Sequence, residues 1–277
     1  NRFGARVSPG QVVVTPGAKP IMFYVILALS EPGVEVIYPN PGFPIYESMI
    51  RFSGGTPVPM RLLESKAYHP DLDDLAQKIT IRTRLIIINS PENPCGSALT
   101  RDELETIANL VKERDDIYVM SDEIYKDILY TGEHHSIAAF PDMDERTIIL
   151  DGFSKSYAMT GWRLGYGIMP PELVPHVVKL AVNSVSCAAS FSQRAAIAAL
   201  EAGPGRLDGA VVRGGPGAAE RTVVLRTGRA GQQDLDRRGD LCGHRSGAGG
   251  PGSPPRAELP AWGSARRRWS GSHRPAA

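Results

Sequence analysis

Short runs of apolar, often β-branched residues recur between Gln11 and Glu201, and stretches with helical spacing separate them. Runs of four to six such residues, bounded by Gly, Pro, Asn or Asp, are typical of buried strands. The pattern predicts seven strands: Val12–Thr15, Glu35–Tyr38, Thr56–Arg61, Leu85–Asn89, Tyr118–Ser121, Thr147–Leu150 and Leu164–Ile168.

Helical spacing of apolar positions predicts a helix after most of these strands. The predicted helices are Ala18–Ser30, Pro44–Ser53, Leu72–Ile79, Arg101–Arg114, Pro171–Val182 and Phe191–Glu201. Thr100 and Glu103 have the spacing of a capping box at the start of the fourth helix. Alternation of strands and helices indicates crossover connections. The fold class we predict is α/β, a three-layer α/β/α arrangement with a seven-stranded, mainly parallel sheet.

The pattern changes after Pro204. Residues 206–277 contain no Lys, Ile, Met, Phe, Tyr or Asn, and they are rich in Arg, Gly, Pro and Ala. We predict one domain over residues 1–204 and an atypical segment over residues 205–277. The segment is either a disordered basic tail or the out-of-frame translation of a GC-rich gene, and we favour the second interpretation. Because the chain begins at Asn1 rather than Met, we also expect a fragment that lacks the start of its first domain.

Composition narrows the class of protein. A formal charge of +1 and 42% hydrophobic residues are typical of a soluble globular protein and give no sign of nucleic-acid binding. The longest apolar run, Ile21–Leu29, is too short to cross a bilayer, so we expect a cytoplasmic protein without a membrane partner. The cysteine spacing indicates neither a disulfide nor a metal site. His134 and His135 are interpreted as a solvated loop pair.

The segment Ser154–Gly165 carries the strongest chemical signal. It reads S-K-S-Y-A-M-T-G-W-R-L-G between two apolar strands. A single lysine at a strand end is usually exposed to water. A desolvated lysine of lowered pKa, in contrast, is the group that forms a Schiff base with an aldehyde cofactor. On this interpretation Lys155 is the nucleophile, and Ser154 and Arg163 hold an anion beside the aldehyde.

This segment resembles the cofactor attachment site of the class I aminotransferases, which depend on pyridoxal 5'-phosphate. The family pattern is S-K, an aromatic residue two positions later, and G-W/R-R-x-G. Every specified position is filled here: Ser154, Lys155, Tyr157, Gly161, Trp162, Arg163 and Gly165. The resemblance covers about residues 8–204 and implies the large domain of the fold-type I enzymes.

A carboxylate follows the predicted strand Tyr118–Ser121. Asp122 stands at the carboxyl end of that strand, where open α/β sheets bind ligands. An aspartate there can be a simple turn residue. Because Asp122 precedes an S-K motif in the sequence, we interpret it as the acid that pairs with the protonated pyridine nitrogen. The resemblance implies that Tyr125 binds the ring hydroxyl of the cofactor.

The turn after the predicted strand Leu85–Asn89 reads N-S-P-E-N-P-C-G. It resembles the family's N-P-x-N-P-T-G turn, and the resemblance implies that Asn93 also reaches the ring oxygen. Two positions depart from the pattern. Cys95 replaces the usual Thr, and Glu92 is expected to add negative charge near the site.

Two further loops complete the predicted site. T-P-G-A-K precedes a helix, and backbone N–H groups at a helix start attract anions. The resemblance places Gly17, Ala18 and Lys19 there, beside the cofactor phosphate. In P-N-P-G-F-P-I-Y the resemblance implies that Phe43 stacks on the pyridine ring, and Tyr46 is assigned to the following helix.

The resemblance implies a transaminase with a ping-pong Schiff-base mechanism, in which Lys155, Asp122 and Tyr125 are catalytic and no metal takes part. Its partners are an amino acid, for which aspartate or an aromatic amino acid is the predicted donor, a 2-oxo acid and a second subunit in a homodimer. No arginine after residue 205 matches the one that grips the substrate carboxylate in the family. The alternatives are an inactive cofactor-binding fragment, a regulator-type domain, and a lyase or decarboxylase on the same fold.

Overall fold

The structure is a computed structural model that describes residues 3–4 and 7–202. The predicted boundary at residue 204 and the atypical segment 205–277 lie outside the described residues.

In the part of the chain that the structure describes, eight strands form one sheet. They are β1 (Val12–Thr15), β2 (Glu35–Asn40), β3 (Thr56–Leu63), β4 (His69–Pro70), β5 (Thr83–Asn89), β6 (Tyr118–Asp122), β7 (Thr147–Gly152) and β8 (Gly165–Ile168). The predicted count of seven is therefore one short. The additional strand, β4, has only two residues, which pair antiparallel with the end of β3. Two residues are too few to produce a periodic pattern in the sequence.

The strand order is β1-β8-β7-β6-β5-β2-β3-β4. The central pairs β7/β6, β6/β5, β5/β2 and β2/β3 are parallel. β8 runs antiparallel to both β7 and β1, so β1 points in the same direction as β7. The carboxyl ends of β1, β2, β5, β6 and β7 consequently meet at one edge of the sheet. Ligand sites of open α/β sheets lie at this edge.

Six α-helices accompany the sheet in the described residues: α1 (Lys19–Leu29), α2 (Ile45–Ser53), α3 (Leu72–Lys78), α4 (Arg101–Lys112), α5 (Val174–Ser184) and α6 (Ser190–Ala202). The predicted capping box is present at α4, where Glu103 N–H donates to Thr100 Oγ1 at 3.2 Å and Thr100 N–H donates to Glu103 Oε2 at 2.8 Å. All six predicted helices are confirmed, with ends that differ by at most three residues.

The hydrophobic core has two layers because the central strands are buried on both faces. In β5, Leu85 and Ile87 pack with side chains of α1, α2 and α5, whereas Ile86 and Ile88 pack with side chains of α3 and α4. Alternate residues of a strand point to opposite faces, so each apolar run supplies both layers. The three-layer α/β/α class is thereby confirmed. Within the described residues, no helix is both long enough and apolar enough to span a membrane.

Candidate active site

A cavity of about 310 Å³ opens at the carboxyl edge of the sheet. Its size is within the range of roughly 300–1,000 Å³ that small-molecule sites occupy. All the predicted site residues except Gly17 line it. The lining consists of Ala18, Lys19, Met22, Phe43, Asn89, Asn93, Asp122, Ile124, Tyr125, Leu150, Ser154, Lys155, Thr160 and Arg163.

Asp122, the last residue of β6, is the carboxylate of this cavity. Only 4% of it is exposed, and within the described residues it forms no ion pair. Its Oδ2 accepts a hydrogen bond from Tyr46 Oη at 2.8 Å. Burial raises the pKa of Asp122 from 3.8 to about 6, against the lowering effect of the Tyr46 hydrogen bond. A cationic group that entered the cavity would favour the ionised form.

The turn after β5 is fastened to the end of β6. Asn89 Nδ2 donates to the backbone oxygen of Asp122 at 2.9 Å, and Asn89 Oδ1 accepts the N–H of Asn93 at 2.9 Å. Asn93 Nδ2 in turn lies 3.3 Å from Tyr125 Oη. Asn93 and Tyr125 therefore present two polar groups side by side in the cavity. Burial raises the pKa of Tyr125, so its hydroxyl keeps its proton.

Close approach explains two glycines beside α1. Gly17 has φ +88°, and a Cβ at that position would lie 2.5 Å from Arg163 Nη2. A Cβ on Gly165 would lie 2.3 Å from the backbone nitrogen of Ala18. The last glycine of the S-K motif thus lets the loop before α1 pack against β8, and Gly17 lets Arg163 reach that loop. A guanidinium and the amino terminus of α1 meet there, an arrangement that suits an anion.

Lys155 lines the cavity, with its Nζ 5.6 Å from the centre of the Tyr125 ring. The expectation of a desolvated lysine is wrong, since Lys155 is exposed. β7 ends at Gly152, and the turn that follows carries Lys155 beyond the end of the sheet. Arg163, also exposed, has φ +50° and donates from Nη1 to the backbone oxygen of Thr160 at 2.8 Å.

Two aromatic side chains follow β2. Phe43 lines the cavity, and Lys19 Nζ lies 5.4 Å from the centre of its ring. Phe43 also packs edge-on against Tyr46, with 5.9 Å between the ring centres. Tyr46 belongs to α2, as predicted, but its fully buried hydroxyl contacts Asp122 as well.

Glu92 does not line this cavity. Its side chain turns into the loop, where Oε2 accepts the N–H of Cys95 at 2.7 Å. Burial raises the pKa of Glu92, which favours the neutral form, and burial raises the pKa of the Cys95 thiol to about 11. The charge of Glu92 nevertheless reaches the site as expected, because it contributes to the raised pKa of Tyr125. Glu92 instead lines a neighbouring cavity of about 700 Å³ that shares Asn93 and Tyr125 with the first.

Three polar residues of the site were not predicted from the sequence. Thr160 stands at an unspecified position of the S-K motif, and Asn89 begins the N-S-P-E-N-P turn, so their positions in motifs could have indicated them. Tyr46 gave no signal of its own. Its contact with Asp122 joins residues 76 positions apart and depends on how α2 packs on the sheet.

The sequence model of the family described as aminotransferase class I and II matches residues 3–212. The putative aminotransferase YugH of Bacillus subtilis is 39% identical over 204 residues, which are 73% of this chain and 53% of that protein. An aspartate aminotransferase of Musicola paradisiaca is 41% identical, over 68% of this chain and 47% of that protein.

Solved structures agree with this similarity. The aspartate aminotransferase from Thermus thermophilus with maleate superposes with a TM-score of 0.71 at 35% identity, over 75% of this chain and 54% of that one. The aromatic aminotransferase from Pyrococcus horikoshii has a TM-score of 0.69 at 38% identity, over 72% and 53% of the two chains.

Fold, site and sequence together define a fold-type I enzyme domain. The chain belongs to the class I and II aminotransferase family. It spans about half the length of the curated relatives that it matches.

Class I aminotransferases use pyridoxal 5'-phosphate, and the residues present fit this group. The buried Asp122 carboxylate lacks a cationic partner in the described part of the chain, as a site for a protonated pyridine nitrogen requires. Gly17 leaves space beside the Arg163 guanidinium that a Cβ would fill. Lys155, Asn93 and Tyr125 line the same cavity.

Proposed function

We propose that this chain is the cofactor-binding part of a pyridoxal-phosphate-dependent aminotransferase, which moves an amino group between an amino acid and a 2-oxo acid. The observation that carries the proposal is the single cavity lined by Lys155, Asp122, Asn93, Tyr125 and Arg163. An amine, a buried acid, two hydroxyl-binding groups and a guanidinium are the groups that this cofactor needs from a protein.

Bound pyridoxal phosphate supplies an aldehyde that condenses with amines and a ring that accepts the electrons released when a Cα–H bond breaks. Asp122 keeps the ring nitrogen protonated, because an ionised carboxylate beside it favours the charged form. Asn93 and Tyr125 bind the ring hydroxyl, and Phe43 covers one face of the ring. These four side chains orient the ring within the cavity.

The phosphate is assigned to the loop before α1. Ala18 and Lys19 lie at the start of α1, where backbone N–H groups have no acceptor within the helix. Gly17 lets Arg163 approach this loop, and Ser154 lines the cavity beside it. A guanidinium together with a helix amino terminus suits a dianion.

Lys155 Nζ is assigned two tasks. This amine would hold the aldehyde of the cofactor until a substrate amine replaces it, and the freed amine would then carry the proton that leaves the substrate Cα. The exposure of Lys155 supports the second task, because a substrate can reach the amine directly from solvent. The centre of the Tyr125 ring lies 5.6 Å from Nζ, so the amine and the tyrosine face the same cavity.

For the substrate we propose aspartate or an aromatic amino acid as the donor. Support comes from the relatives in Musicola paradisiaca and Thermus thermophilus, which are named aspartate aminotransferases, and from the aromatic aminotransferase of Pyrococcus horikoshii. Comparing initial rates with aspartate, tyrosine and phenylalanine, each with 2-oxoglutarate, tests this choice.

We also propose that the protein works as a homodimer. Apolar side chains are exposed on α5, on α6 and in the S-K motif, and an exposed apolar patch of this kind is typical of a protein interface. They include Trp162, Val178, Val182, Phe191, Ile197 and Leu200. Sedimentation with and without cofactor measures the mass, and a monomer at all concentrations would contradict the proposal.

The decisive experiment adds pyridoxal phosphate to the chain, reduces the complex with borohydride and maps the labelled peptide. We expect a visible absorbance band and a pyridoxyl group on Lys155. Lys155→Ala should remove both the band and the transaminase activity, because Lys155 is the amine proposed to bind the aldehyde. Lys19, the other lysine of the cavity, is assigned to the phosphate. Lys66→Ala is the control, since Lys66 is exposed and does not line the cavity. A label on another lysine, or transamination by Lys155→Ala, refutes the proposal.

A further inference from the structure

One buried carboxylate joins the two ends of the loop 123–136 that leaves β6. Glu123, the first residue of this loop, is fully buried. Its Oε1 accepts hydrogen bonds from Ser121 Oγ at 2.9 Å and from Ser136 Oγ at 2.6 Å. Its Oε2 lies 2.8 Å from Nε2 of His134. The last turn of the loop is therefore fastened to its first residue.

His134 lies in a different environment from His135, the next residue in the sequence. Its side chain is 11% exposed, so the expectation of a solvated pair is wrong for this residue. With a hydrogen on Nε2 it donates to Glu123, and Nδ1 is buried without a partner among the described residues. His135 does not contact Glu123: its side chain is 26% exposed, and its Nε2 lies 3.7 Å from the exposed side chain of Glu133.

Glu123 is also held at the carboxyl edge of the sheet through its backbone. Its N–H donates to the oxygen of Leu150 in β7 at 2.9 Å, and the next N–H, that of Ile124, donates to Asp122 Oδ1 at 3.3 Å. Asp122 precedes Glu123 and Tyr125 follows it by two residues. A displacement of Glu123 is therefore expected to move two of the four side chains proposed to hold the cofactor ring.

We infer that His134 is a positioning residue of the cofactor site, which holds Asp122 and Tyr125 in place by binding Glu123. The inference rests on the proposed function. Loss of the imidazole leaves one oxygen of a fully buried carboxylate without its donor, and such a group costs free energy unless the chain moves to find another partner. If Glu123 shifts to find a new donor, the adjoining backbone of Asp122 and Tyr125 shifts with it, so the change reaches the cavity without His134 touching the cofactor.

The test compares cofactor binding by the full chain and three variants, His134→Ala, His134→Gln and His135→Ala. We expect His134→Ala to raise the dissociation constant for pyridoxal phosphate by about tenfold, which is the effect of losing one donor to a buried acceptor. His134→Gln keeps an N–H donor near the position of Nε2 and restores most of the affinity. His135→Ala binds like the wild type.

A second measurement separates positioning from a general loss of stability. The pH at which the visible band of bound cofactor changes depends on the groups around the ring, so it shifts in His134→Ala and returns in His134→Gln. A variant that was only less stable would melt earlier but keep the wild-type band and pH dependence.

The outcomes are distinct. If the wild type binds cofactor and His134→Ala binds it equally well, this inference fails and the proposed function stands. If the wild type does not bind cofactor, both fail. If His134→Ala does not fold, the double variant Ser121→Ala/Ser136→Ala decides, because it removes both donors from the other oxygen of the same carboxylate. An unchanged affinity in this double variant overturns the inference.

Discussion

At the scale of single residues, Asp122 determines how the site responds to pH. Its pKa is raised from 3.8 to about 6, mainly by burial, and the carboxylates of Asp151 and Glu123 act in the same direction. The folded chain therefore binds this proton more tightly than the unfolded chain does. Between about pH 4 and pH 6, the contribution of Asp122 to the free energy of unfolding falls as the pH rises.

We predict that Asp122→Asn makes the cofactor-free chain more stable at neutral pH. The ionised carboxylate costs about 3 kcal/mol above its folded pKa, and the amide carries no charge. Urea unfolding of both chains should show a difference at about pH 8 that shrinks as the pH falls to about 4. If the difference in the free energy of unfolding did not change with pH, the ionised Asp122 carboxylate would not be its cause. The same substitution should weaken cofactor binding, because it removes the carboxylate proposed to pair with the ring nitrogen.

Tyr46 lowers the pKa of the same carboxylate, whereas burial raises it. Its hydroxyl donates to Asp122 Oδ2, which lowers the pKa of Asp122. In Tyr46→Phe we predict that the pKa of Asp122 rises further and that cofactor binding moves to higher pH by about one unit, the effect of one hydrogen bond to a charged group. Titrations of the dissociation constant against pH measure the shift.

Tyr118→Phe is the control for this prediction. It removes a comparable hydroxyl that donates to Glu172 at 3.0 Å, and neither residue lines the cavity. Equal shifts in the two variants would show that the contact between Tyr46 and Asp122 has no special effect.

At the scale of elements, the site depends on how closely the loop before α1 approaches β8. A Cβ on Gly165 would meet the backbone of Ala18 and Gly17, which cannot rotate away as a flexible side chain would. We predict that Gly165→Ala displaces this loop and weakens binding of pyridoxal phosphate by at least about tenfold, since overpacking of this kind costs roughly 1–3 kcal/mol.

Gly161 is the matched control because it belongs to the same motif. A Cβ at Gly161 would have no heavy atom within 4 Å. We expect Gly161→Ala to bind the cofactor as the wild type does. Equal affinity of both variants in fluorescence titrations would show that the packing of the loop on Gly165 does not shape the phosphate site.

At the scale of the whole molecule, a buried ion pair links the loop after β6 to β7. Lys126 Nζ contacts Asp151 Oδ2, and the two side chains are only 4% and 1% exposed. Tyr166 of β8 donates to the same carboxylate at 2.6 Å. Three neighbouring elements, the loop after β6, β7 and β8, thus converge on Asp151.

We predict that Lys126→Met lowers the free energy of unfolding by about 3–5 kcal/mol, because it leaves a buried carboxylate without its cation. The double variant Lys126→Met/Asp151→Asn should recover part of this loss, since it removes the uncompensated charge. Arg51→Met provides the control. It breaks an exposed pair with Glu47 and should change stability by less than about 1 kcal/mol. Denaturant unfolding at neutral pH checks all three.

Most strands and helices, and many of the residues that line the cavity, could be predicted from local sequence pattern. The S-K motif indicated Lys155, Ser154 and Arg163, and the strand ends indicated Asp122, all of which line one cavity. Strand β4 could not be predicted, because two residues carry no periodicity. The burial of His134 was missed for another reason. Its partner Glu123 lies eleven positions earlier, outside any helical or strand repeat.

The sequence by itself determined the alternation of strands and helices, the family and the residues proposed to hold the cofactor, since these depend on local pattern and on motifs of adjacent residues. Only the tertiary structure decided that Lys155 is exposed, that Tyr46 binds Asp122 and that Glu123 joins both ends of its loop. The physical reason is that burial and hydrogen bonding between distant residues arise when helices pack on the sheet, and no local pattern records which side chains then meet.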